Sequence, residues 1–179
     1  IKGKKFKDVS QFDRYLDALS TSIYRLSEKR IGAIIVLENA DRLDEYADKA
    51  VKIDADFSGE LVESIFLTST PLHDGAVIIR DLKLLAASVI LPLADHSPDL
   101  DTSMGTRHRA ALGITQLSDA IAIVISEETG KVSLAREGFI TQGIKSDRFK
   151  GIMKSIYASD LEKSRKYSSK RMFKWKRSK

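Results

Sequence analysis

The sequence predicts an α/β domain with a mixed, partly antiparallel central β-sheet flanked by α-helices. Continuous β-branched runs such as "IGAIIVLE" and "AIAIVIS" read as strands buried on both faces, and such strands need helices on either side. Two pairs of apolar runs are joined by short polar turns, one at Asp81 and one at "EETG", and hairpins of this kind make antiparallel pairs. Segments with helical periodicity are interspersed among these strands. The order does not match a doubly wound dinucleotide fold, and no GxGxxG is present.

Along the chain, Val9, Phe12, Leu16, Leu19, Ile23 and Leu26 recur at spacings of three and four, an apolar stripe on one helix. Asp8 or Ser10 can cap its start, and "EKRIG" ends it with basic residues and Gly32. The "IGAIIVLE" strand follows, then a short helix from about Asp41 to Asp48 and a short strand at "AVKID". "SGELVESIFL" reads as a helix capped by Ser58, with Leu61, Ile65 and Phe66 on its inner face. "GAVIIR" and "KLLAASVILPL" form the first hairpin. Ala94 to Met104 is polar, contains Pro98 and reads as a loop. "TRHRAALGITQL" starts a helix at Thr106, "AIAIVIS" and "KVSLARE" form the second hairpin, and a last helical pattern runs from Ser146 to about Lys163.

The 179 residues suffice for one domain with a substantial core, and contents of 42% hydrophobic and 31% charged are those of an ordinary globular protein. With no cysteine, disulfides and thiolate metal sites are excluded, and a reducing compartment fits. The longest nearly apolar run, Leu84 to Ala94, falls short of the roughly 20 residues a membrane helix needs. No signal peptide is visible, and the start at Ile1 rather than methionine reads as a trimmed piece. The net charge of +5 is uneven: nine Lys/Arg and no Asp/Glu lie from Lys163 onward, so taking 9 from 5 leaves −4 for the rest. Tyr167, Phe173 and Trp175 interleave with that basic tail, which can touch anionic lipid or nucleic acid, or simply be a solvated end. The whole-chain charge is not evidence for nucleic acid as a partner.

Two clusters carry chemistry. In "PLHDGAVIIR", Asp74 precedes Gly75 and Ala76, whose small size lets a ligand approach the backbone. Asp74 beside His73 can share a hard divalent cation with phosphate oxygens, or Asp74 can accept a proton from an attacking hydroxyl. The alternative is a plain D-G turn with His73 packed or solvated. In "GTRHRAALG", Arg107, His108 and Arg109 stand about 100° apart around a helix and converge only if they occupy the first turn, with Thr106 as its cap and the ligand across the helix end. Cations there oppose the macrodipole, which disfavours them for stability and suits them to polyphosphate. Ser126 at a strand end and Glu127 and Glu128 in the next turn read either as site groups or as an exposed hairpin tip.

"LHDGAVII", then "GTRHRAALG", then "SEETG" together resemble the diadenylate cyclase domain family, which makes cyclic di-AMP from two ATP. The likeness covers about residues 31–136, and "KRIGAIIVLE" and "IDADFSGELVESIF" resemble its membrane-anchored bacterial class. The resemblance implies a catalytic domain over residues 1–162 with a basic tail at 163–179. It implies Asp74, Arg107, His108 and Arg109 as catalytic residues, with Asp74 the central carboxylate. Gly75, Ala76, Leu91, Thr106, Ser126 and Glu128 would bind ATP, and His73 with Asp74 a divalent metal, Mn²⁺ or Mg²⁺, with Co²⁺ a further candidate. Ile90 stands where a bulkier, often aromatic residue commonly precedes the leucine, which implies weaker or different adenine stacking. The resemblance further implies a homodimer for catalysis, and a cytoplasmic domain of a protein anchored at the bacterial membrane through a missing N-terminal segment. A non-catalytic ATP-binding regulatory module of the same fold is the alternative; the intact Asp74 and RHR set argue against it.

Overall fold

A computed structural model of the chain describes Phe6 and residues 8–67, 69–95 and 104–158. Most of the polar loop expected after Ala94, the end of the last expected helix and the basic tail lie outside the described residues.

Helix α1 (Val9–Glu28) forms on the predicted stripe, with Leu16, Leu19, Ile23 and Leu26 buried and Val9 left exposed at its first turn. Asp8 is its cap, accepting from the Gln11 N–H at 2.7 Å. Strand β1 (Ala33–Glu38) is buried along its whole length. Then come α2 (Asp44–Ala47), the edge strand β2 (Val51–Asp56) and α3 (Gly59–Leu67), where the Ser58 hydroxyl accepts from the Leu61 N–H. Val62, Ile65 and Phe66 are the buried face of α3; Leu61, expected there, is only half-buried, because the helical turn brings its neighbour inward. A short 3₁₀ turn (Pro71–His73) leads into β3 (Ala76–Arg80) and β4 (Lys83–Val89), whose turn residue Asp81 has a φ of +56°.

Helix α4 (Thr106–Leu117) precedes β5 (Ile121–Ile125), β6 (Val132–Arg136) and β7 (Phe139–Thr141). β7 was not expected. Only three residues long, it returns onto β6 through Glu137 and Gly138, both left-handed at φ +52° and +77°, which suits a two-residue hairpin.

The strands form one seven-stranded sheet in the order β2-β4-β3-β1-β5-β6-β7. β1 and β3 run parallel, and the five other neighbouring pairs are antiparallel. This is the mixed sheet the sequence predicts. Alternate side chains of the central strands, among them Ile34, Val36, Ile78, Ala122, Val124 and Ala135, pack with Ala111 and Ile114 of α4. The other set, including Ile35, Val77 and Ile123, is equally buried and lies on the opposite face, where α1 meets β5 and β6 and carries α3 against it. Covering both faces explains why these strands read as continuous apolar runs.

The chain divides into two compact units, Ile1–Lys145 and Ser146–Lys179. The second contains the helical residues 146–158, with Phe149, Met153 and Ile156 buried. Among the described residues, no helix is long and apolar enough to cross a membrane.

At the far end of the parallel pair, Glu38 of β1 stands opposite Arg80 of β3. The Glu38 carboxylate is 1% exposed and accepts from Arg80 Nε at 2.7 Å and Nη2 at 2.8 Å, and from the Leu43 N–H at 3.0 Å. These bonds tie β1, β3 and the start of α2 together, and Asp44 adds a second carboxylate to Arg80. Glu38→Ala leaves a half-buried guanidinium without its main partner, and is expected to destabilise the fold by about 3 kcal/mol. Urea unfolding of the variant, with Glu38→Ala/Arg80→Leu recovering most of the loss, checks this.

Candidate active site

One cleft of about 500 Å³ opens at the edge of the sheet where β1 and β3 begin and β5 ends. Ile34, Ala76, Val89 and Ile125 form its floor, and the first turn of α4 and the β5–β6 turn stand over it. Doubly wound folds bind ligands at the opposite, carboxyl ends of their parallel strands.

Asp74 is exposed at this edge and lines the cleft with Gly75 and Ala76. Its backbone is fixed from two sides: the Ser88 hydroxyl donates to the Asp74 carbonyl at 2.8 Å, and the Asp74 N–H bonds the Pro71 carbonyl. Gly75 has a φ of +104°, and a Cβ there would stand 2.7 Å from the Val89 carbonyl oxygen. No other residue allows the chain to turn into β3 so close to β4. His73 does not line the cleft; its Nδ1 is engaged by the Thr70 carbonyl.

The helix start differs from expectation in two respects. Gly105, not Thr106, occupies the cap position with extended backbone; Thr106 is already helical, and no side chain caps the helix. Its first amide N–H groups are therefore open to a ligand in the cleft that Gly105, Thr106 and Arg107 line. The three basic side chains also do not converge. The Arg107 guanidinium pairs with Glu127 at 3.0 Å, across the cleft on the β5–β6 turn. His108 is 6% exposed, with Nε2 3.5 Å from the Ser133 hydroxyl of β6. Arg109 lies outside the cleft and donates Nε and Nη2 to the Ala94 carbonyl at 3.2 and 3.1 Å. Helical geometry alone produces this divergence.

Ser126, Glu127 and Glu128 complete the cleft. The Ser126 hydroxyl accepts from the Thr129 N–H, and the Ser27 hydroxyl of α1 donates to the Gly130 carbonyl, so the helix end braces the turn that carries the acids. On the other side Ile90, Leu91 and Leu93 make an apolar wall, with Ile90 86% exposed and Leu91 buried. The cleft thus gathers nine of the expected residues, Asp74, Gly75, Ala76, Leu91, Thr106, Arg107, His108, Ser126 and Glu128, and leaves His73 and Arg109 outside. The sequence names both Glu127 and Glu128, and the resemblance carries only Glu128 into the site; two adjacent glutamates in a turn give no sign of which one faces an arginine.

Among the described residues, no three His, Asp or Glu side chains stand close enough together to hold a metal by themselves. Magnesium-like cations are commonly held by one or two carboxylates with substrate phosphates completing the shell, and Asp74 and Glu128 at one cleft fit that arrangement.

A mixed sheet with carboxylates, an arginine and an uncapped helix start around one cleft at its edge defines an α/β domain with a single candidate site among the described residues. Residues 20–140 match the family described as DAC, DisA bacterial checkpoint controller nucleotide-binding, and the chain belongs to that family. It is 42% identical over 132 residues to cyclic di-AMP synthase CdaS of Bacillus subtilis, covering 74% of this chain and 63% of that one. To the diadenylate cyclase of Mycoplasma genitalium it is 45% identical over 136 residues, covering 75% of this chain and 67% of that one. The crystal structure of a double mutant of DacA from Staphylococcus aureus superposes with a TM-score of 0.79 at 36% identity, over 83% of this chain and 98% of that one. The chain therefore spans roughly two thirds of the length of these two curated relatives.

Burial first, and the Arg107 charge second, hold the His108 pKa below its ordinary 6.5. The imidazole is then neutral in the folded chain at neutral pH. Below about pH 6.5 the unfolded chain takes up a proton that the folded chain refuses. His108 thus costs nothing above that pH, and stability falls as the pH drops from the unfolded value toward the folded one. Urea midpoints measured between about pH 7.5 and 5 are expected to show this loss, and His108→Gln to flatten that part of the profile.

Proposed function

We propose that the cleft binds ATP and that two copies of the chain, cleft to cleft, condense two ATP into cyclic di-AMP with release of two pyrophosphates. One observation carries the reading: the exposed Asp74 carboxylate, the uncapped α4 start with Arg107, and the Ile90–Leu93 wall share one cleft of about 500 Å³. That volume is within the usual range for a single small ligand. The family membership and the names of the two curated relatives support the same substrate and product.

In this reading the nucleotide divides between the two ends of the cleft. Its base lies against the apolar wall, and its phosphates meet the amide N–H groups and the guanidinium at the helix start. The ribose then comes near Asp74. The 3′-oxygen of one ATP forms a bond to the α-phosphorus of the other, the bond from that phosphorus to the bridging oxygen breaks, and pyrophosphate leaves with the electron pair. In this reading Asp74 takes the 3′-hydroxyl proton. Arg107 and the helix start offset the charge that grows on the leaving group. Neutral His108 carries one ring N–H that can donate to a phosphate oxygen.

A divalent cation held by Asp74, Glu128 and phosphate oxygens would neutralise phosphate charge and acidify the hydroxyl. Mn²⁺ and Mg²⁺ are the first candidates and Co²⁺ the third. One cleft holds one ATP, and the product joins two, so both must meet with their hydroxyls in line. The resemblance to the anchored class supports a place at the membrane for the whole protein.

Asp74→Asn is expected to keep the fold and ATP binding while lowering turnover by about 10²-fold or more, because an amide is neither a base nor a good ligand for a hard cation. Circular dichroism, calorimetric ATP binding and product mass analysis together check this; near-normal product would remove Asp74 from its role. In the unsubstituted protein, specific activity with ATP and Mn²⁺ is expected to rise with protein concentration as pairs form. Activity independent of concentration down to the lowest detectable level would contradict transient pairing, and ATP binding without product would favour a regulatory module.

A further inference from the structure

We infer that Arg109 is a positioning residue for the nucleobase end of the cleft, and not a ligand of the phosphates. This rests on the ATP reading above and assigns one residue of its basic cluster to a different end of the nucleotide. The segment from Ile90 to Ala94, which supplies the apolar wall, belongs to no strand or helix. It must therefore be held in place by contacts other than a sheet ladder. Those contacts come from α4. The Ala94 N–H donates to the Arg109 carbonyl at 3.0 Å, and the Arg109 guanidinium returns two bonds to the Ala94 carbonyl at 3.2 and 3.1 Å. One turn further along, Gly113 lies so close beneath the segment that a Cβ would stand 2.0 Å from the Pro92 carbonyl oxygen. Ala94 is buried at 3% exposure, so its carbonyl has little access to water and depends on that guanidinium.

The position of Arg109 disfavours the simpler role. Arg107, two residues earlier, lines the cleft, whereas Arg109 does not. Two of its five N–H donors are already used on a carbonyl behind the wall, which fixes the guanidinium beside that segment. Removing them leaves Ala94 underbonded and frees the segment whose Ile90, Leu91 and Leu93 face the base. The phosphate end, at the helix start, keeps its amides and Arg107.

The test is calorimetric binding of ATP, GTP and inorganic tripolyphosphate to the full chain and its Arg109→Ala, Arg109→Gln and Arg107→Ala variants. Arg109→Ala is expected to weaken ATP by about tenfold, to narrow the preference for ATP over GTP, and to leave tripolyphosphate affinity unchanged. Arg107→Ala is expected to weaken tripolyphosphate and ATP alike. Glutamine carries no charge but can donate to a carbonyl, so Arg109→Gln is expected to recover part of the ATP affinity, and it decides the question if the alanine variant does not fold. Loss of tripolyphosphate binding as severe as loss of ATP in the Arg109 variants, with glutamine no better than alanine, overturns this inference alone. Failure of the unsubstituted chain to bind ATP overturns the nucleotide reading and this inference with it.

Discussion

The parallel pairing of β1 with β3 is the constraint from which the site follows. It places Ile35 beside Val77 and Glu38 beside Arg80, and so aligns the starts of both strands at one edge. Antiparallel β5 must then end where β1 begins, with Ala33 opposite Ile125. Asp74 and Gly75 precede β3, and Ser126 to Glu128 follow β5, so two segments some fifty residues apart in sequence meet at the same edge. Burial on both faces makes this register hard to shift, since a slip of one residue would turn the side chains of each central strand to the other face. The ion pair of Glu38 with Arg80 pins the other end of the pair. Site geometry is thus inherited from the sheet, and the loops add detail to it.

Much of this could be read from the sequence, and the misses have identifiable causes. Long apolar periods gave α1, the two hairpins and the sheet type, because burial on one or both faces leaves a repeat several residues long. β7 escaped because three residues cannot show alternation, and its left-handed turn uses Glu137, a residue with no turn preference. Thr106 looked like the helix cap because threonine favours that position; in the fold it is the first helical residue, behind Gly105. The cleft residues were legible as motifs, but their division of labour was not. Their place on a first turn and the family resemblance suggested that Arg107, His108 and Arg109 act together, whereas rotation about the helix sends them to a turn, a strand and a wall.

That divergence gives one helix end three mechanical functions. Arg107 faces the cleft, His108 docks α4 onto β6, and Arg109 fastens the segment that follows β4. The last two fix the first turn relative to the floor of the cleft on one side and its wall on the other. A ligand binding across the turn then meets donors whose spacing is set before it arrives, so little ordering remains to oppose its binding.

The contact between Arg107 and Glu127 has the opposite character. Both side chains keep contact with water, at 29% and 63% exposure, and a pair of that kind is worth about 1 kcal/mol or less. It is too weak to lock the cleft, yet it draws the guanidinium toward the β5–β6 turn, and that turn is braced by Ser27 and Gly130 against α1. Under the proposed ATP reading, a polyphosphate would bring several charges where Glu127 offers one, and would take over the guanidinium at small cost.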